Sequence, residues 1–165
     1  MPTIADHLET ELQKWVNLRA MQRPYAWPTW VSALQEKIKL WLDGEEFEFL
    51  EFSGDNSDAV EATQLRVFGF TQRFALLVVV TKSVGSADSE SVDWHLVGRG
   101  DIKALQADQS EQFHRRWLVT TAEYEGFPQP VEVPTLMNFD YELEARQALF
   151  IRLRDDLYPN ASVGP

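Results

Sequence analysis

Cysteine is absent from this chain of 165 residues. That removes disulfide staples, thiolate nucleophiles and cysteine-ligated zinc or iron–sulfur centres from consideration. The absence fits a reducing compartment, and a cytoplasmic location is expected on that ground. Long apolar runs are missing too. The longest, Phe74 to Val80, is far too short to cross a bilayer as a helix. The opening residues, Met1 to His7, contain no basic stretch followed by an apolar core, so no signal peptide is expected. Positive charge is scarce: 15 Lys and Arg face 26 Asp and Glu, a formal net charge of −11. A surface of that sign repels phosphate backbones and anionic headgroups, which argues against nucleic acid and membrane as partners. It also keeps a protein in solution, which accounts for the charge without any cationic partner.

Reactive constellations are equally sparse. The glycines form neither the dinucleotide nor the P-loop spacing, and Gly98-Arg99-Gly100 is too short for a phosphate cradle. The three histidines, His7, His95 and His114, lie far apart and outside any zinc-protease pattern. His95 follows Trp94 in a strand and is expected on the face away from the apolar side. His114 stands beside Arg115 and Arg116, which discourage a cation there. No nucleophile elbow surrounds any serine. Arg99-Gly100-Asp101 resembles an adhesion tripeptide, but its plain reading is a turn between two strands. No catalytic residue, cofactor site or metal ligand is therefore assigned from the sequence.

Apolar material, by contrast, is plentiful. The chain is 44% hydrophobic and 12% aromatic, enough to offset chain entropy in one packed domain. Thr3 and Asp6 form a capping box, and Ile4, Leu8, Leu12 and Trp15 follow on one helical face. Pro24 and Pro28 end that helix. A second helix starts near Thr29 with a buried stripe of Val31, Leu34, Ile38 and Trp41, and Gly44 stops it. From Glu46 the period changes to two: Phe47 and Phe49 share one strand face, while Leu50 and Phe52 take the other. Phe74 to Val80 reads as a central strand, apolar on both faces. Val131 and Val133, between Pro130 and Pro134, suit an edge strand. Asp140 can cap a last helix with Leu143, Phe150, Leu153 and Leu157 on one side, Glu142 and Arg146 spaced for an ion pair, and Pro159 at its end.

The resulting fold class is α+β: N-terminal helices, a strand-rich antiparallel middle and a C-terminal amphipathic helix. Residues 1–45 form a helical layer packed on the sheet, 46–158 the strand-rich core with its helix, and 159–165 a frayed tail, all within one structural domain. About seven strands are expected, near 46–53, 63–70, 74–82, 92–98, 101–106, 113–124 and 131–137. Their order, followed by one amphipathic helix, resembles a pleckstrin-homology-like (PH-like) domain, over roughly residues 46–157. The resemblance implies a bent, partly open barrel plugged at one end by the helix. Lipid-headgroup binding in that family depends on Lys and Arg around the first strand-to-strand loop. Here residues 43–61 contain neither, and carry Asp43, Glu45, Glu46, Glu48, Glu51, Asp55, Asp58 and Glu61 instead. The resemblance thus implies a peptide or protein scaffold rather than a phosphoinositide clamp.

Four of the six tryptophans, Trp15, Trp27, Trp30 and Trp41, fall in the first 41 residues. Large aromatics that pack a helical layer onto a sheet account for them. The functional reading makes Tyr25, Trp27 and Trp30, at a proline-bounded turn, an interaction patch. The leading expectation is a non-enzymatic binding domain that holds a peptide, a protein or a second copy of itself as a homodimer. Two alternatives stand beside it. One is a small acidic dimer of the secretion-chaperone type, with fewer strands and a helix near residues 100–115. The other is an enzyme whose small-molecule pocket includes His95 or His114.

Overall fold

A computed structural model describes residues 10, 29–54, 64–82, 90–112, 115–135 and 141–159. The chain divides into two compact units, Met1–Leu96 and Val97–Pro165. The expected first helix lies outside the described residues, apart from Thr10, which is helical.

In the first unit, helix α1 spans Thr29–Trp41. Leu34, Ile38 and Leu42, each one turn from the next, are buried, and this spacing gives the helix a single core face. The expected stripe is corrected at its end: Trp41 is 60% exposed, and Leu42 takes the buried place. The Leu42 N–H donates to Ile38 O at 2.8 Å, and the Glu45 N–H to Leu42 O at 2.9 Å. Gly44, at φ +79°, turns the chain out of the helix.

Four strands follow: β1 Phe49–Gly54, β2 Gln64–Phe70, β3 Phe74–Lys82 and β4 Glu90–Gly98. They form one antiparallel sheet in the order β1-β2-β3-β4. Thr71 builds the link from β2 to β3. Its N–H donates to Phe74 O at 2.9 Å, while its hydroxyl accepts the N–H groups of Arg73 at 3.3 Å and Phe74 at 3.1 Å. A hydroxyl that satisfies two turn amides explains why a threonine can be buried there.

One face of the sheet, with Leu50, Phe52, Val67, Leu76, Val78 and Val80, packs with Leu34, Ile38 and Leu42 of α1. Phe47 belongs to this same cluster. That corrects its expected partnership with Phe49: the strand begins at Phe49, so Phe47 precedes the alternation and is out of phase with it. Gly69, opposite Leu50 in the register, explains how Phe47 fits. A Cβ at Gly69 would stand 2.8 Å from Phe49 O, 2.9 Å from Leu50 Cδ1 and 3.1 Å from Phe47 Cδ1. The other face is buried as well. Phe49 and Phe70, paired across β1 and β2, stack at 5.6 Å, and Phe68 meets Phe49 at 6.0 Å. The expectation for β3 holds: it is an inner strand with Ala75 to Val80 buried on both faces.

In the second unit a 3₁₀ turn, Arg99–Asp101, leads into β5 Ile102–Gln112, β6 Arg115–Tyr124, the two-residue β7 Val131–Glu132 and helix α2 Leu143–Leu157. The sheet order is β5-β6-β7, both pairings are antiparallel, and the register shifts between Ile102 and Ala104. β5 runs well past its expected end at 106, and β7 is shorter than the expected 131–137. The Val133–Pro134 peptide is cis, and the Val133 N–H still donates to Thr120 O at 2.8 Å.

Helix α2 packs against β5 and β6. Its buried residues are Arg146, Leu149 and Leu153, which corrects the expected stripe. Leu153 belongs to it, but Leu143 is 48% exposed, and Phe150 and Leu157 are half-buried. Glu142 occupies the N-cap without a side-chain cap bond; its carbonyl accepts the Arg146 N–H at 2.9 Å. Asp140 lies outside the described residues. At the other end the Tyr158 N–H donates to Arg154 O at 2.8 Å, next to Pro159. No described helix is long and apolar enough to cross a membrane.

Candidate interaction site

The candidate patch of Tyr25, Trp27 and Trp30 falls outside what the structure describes. Tyr25 and Trp27 lie outside the described residues, as does the side chain of Trp30, whose backbone is helical in α1. His95 sits in β4 and is half-buried between the half-buried Trp94 and Leu96; His7 and His114 are outside the described residues. Among the described residues no group of three or more His, Asp or Glu side chains is placed to hold a metal ion.

Arg99-Gly100-Asp101 forms the 3₁₀ turn between β4 and β5. An Asp101 carboxylate oxygen accepts the Gly98 N–H at 2.9 Å. The Arg99 Nε donates to Asp156 Oδ2 of α2 at 2.6 Å, with both side chains mostly buried. Tyr124 is buried close to this pair. Burial, with the Asp156 charge adding to it and Arg99 opposing, raises its hydroxyl well above the ordinary tyrosine range. These groups fasten the turn to the helix and leave little for an external ligand to grasp.

Sequence reasoning spaced Arg146 for an ion pair with Glu142 but missed its burial and the carbonyl groups it holds. Fully buried, it donates from Nε to Tyr141 O at 2.7 Å, from Nη2 to Thr135 O at 3.0 Å and from Nη1 to Leu118 O at 3.3 Å. Its guanidinium also lies 5.2 Å from the Trp117 ring centre, a favourable cation–π contact. One side chain thus joins α2, β6 and the segment after the cis-proline. The available signal was positional: Arg146 precedes Leu149 by three residues and Leu153 by seven, on the same helical face.

No protein-family model, curated protein or solved structure matches the chain.

What the second unit does present is the long strand β5. It is an outer strand, and among the described residues only β6 is hydrogen-bonded to it. In an antiparallel ladder alternate residues aim their N–H and C=O away from the partner, so about half of the β5 backbone groups point outward. Gln106, Ala107, Asp108 and Gln109 are exposed in succession, so both faces of the strand are accessible there. Two charges stand near its ends. Lys103 Nζ lies 3.2 Å from Glu123 and 3.5 Å from Glu125, and Arg116 Nε lies 3.5 Å from Glu111. The hydrogen bond and charge of Glu123, with Glu125 adding, raise the Lys103 pKa. These exposed pairs are weak and leave the middle of the strand uncharged except for Asp108.

Proposed function

We propose that the chain is a non-enzymatic binding domain of PH-like organisation, which holds an extended peptide or protein segment along the outer edge of β5. The observation that carries this reading is the accessible run Gln106–Gln109 on a strand that has, among the described residues, a single hydrogen-bonded neighbour. An edge of this kind is a template for strand addition, in which main-chain hydrogen bonds supply affinity and flanking side chains supply selectivity. The element order supports it further: a four-stranded antiparallel sheet, a three-stranded one, then a helix packed against β5 and β6. Charge argues against the lipid alternative within such a scaffold, since Asp43, Glu46 and Glu48 are exposed and residues 43–61 contain no Lys or Arg. A chaperone-type reading calls for a helix near residues 100–115, where this chain has β5.

A library of random linear peptides displayed on phage and panned on the full chain tests the proposal. The expected outcome is an enriched peptide that slows amide hydrogen exchange across residues 104–111. Methylation of that peptide's alternate backbone nitrogens should weaken it roughly tenfold or more, because each blocks a strand-to-strand bond. Enriched peptides that leave β5 exchange untouched, or a library that enriches nothing, would overturn the assignment.

A further inference from the structure

We draw no further inference here: the strongest candidate, the exposed apolar side chains Leu143, Ile151 and Tyr158 along the outer side of helix α2 and just beyond its end, carries nothing because nothing in the structure shows what covers them.

Discussion

In the first unit β3 runs apolar on both faces, with Leu77, Val78 and Val80 fully buried. In the second, β5 shows side chains to solvent on both faces across Gln106–Gln109. β3 owes its place to side-chain burial, which needs no particular partner atom and tolerates volume-conserving change. β5 owes its place to the ladder with β6, and the helix that packs on both strands is anchored through a buried cation. Directed polar bonds of that kind are less forgiving, because removing one member leaves the others unsatisfied. The comparison teaches that the unit with the more polar exposed strand depends on the more exacting interior.

The largest expected effect tests that claim directly. Arg146→Ala removes one donor from each of three carbonyl oxygens, and the loss should be about 3–5 kcal/mol in urea unfolding. Leu149→Ala, one turn away, is the control. If Arg146→Ala proves milder than Leu149→Ala, the second unit is held by packing like the first and the contrast collapses.

A smaller effect belongs to the first unit. Gly69→Ala places a methyl group 2.8 Å from the Phe49 carbonyl oxygen and should cost about 1–3 kcal/mol. Gly100→Ala meets nothing within 4 Å and should stay within about 0.5 kcal/mol of the parent. Equal losses at the two positions would mean that the close approach at Gly69 has room to relax.

The third expectation concerns alkaline pH. The Tyr124 pKa is higher in the folded chain than its unfolded value near 10. Above that unfolded value the folded state retains a proton that the unfolded state releases, so stability falls as pH rises. The limiting slope from this group is about 1.4 kcal/mol per pH unit, and Tyr124→Phe should remove its share of the decline. Unfolding midpoints measured above and below pH 10 on both proteins check this; parallel curves would show that the hydroxyl is not protected from ionisation.

The smallest effect is expected on the candidate edge itself. Gln106→Lys changes an exposed side chain and should move stability by no more than about 0.5 kcal/mol, while the added charge opposes edge pairing. A stable variant that captures enriched peptides as well as the parent does would separate that edge from binding.

Much of the strand order was legible because pattern and burial agree: Phe74 to Val80 is apolar enough to require two covered faces, and the break at residues 71–73 admits only a tight turn. Where the sequence misleads, a local rule has yielded to tertiary context. Leu143 and Phe150 attract attention as apolar residues, yet the buried face of α2 is set by Arg146, whose charge a composition-based reading assigns to solvent. The second half of β5, Ala107 to Gln112, has no apolar alternation and is a strand because β6 pairs with it. Pairing order also decides which strand stands at the margin of a sheet, and no periodicity encodes that order. The edge of β5 was therefore not readable in advance, whereas the aromatic cluster at Tyr25, Trp27 and Trp30 is visible in the sequence as aromatics gathered at a proline-bounded turn.

The contact between Arg99 and Asp156 bridges 57 positions of chain without a covalent link. It makes the root of β5 and the last turn of α2 a single mechanical element. A chain trimmed just ahead of Asp156 would retain the seven described strands but lose the tether that sets where β5 begins, so the position of that strand's edge is coupled to the state of helix α2.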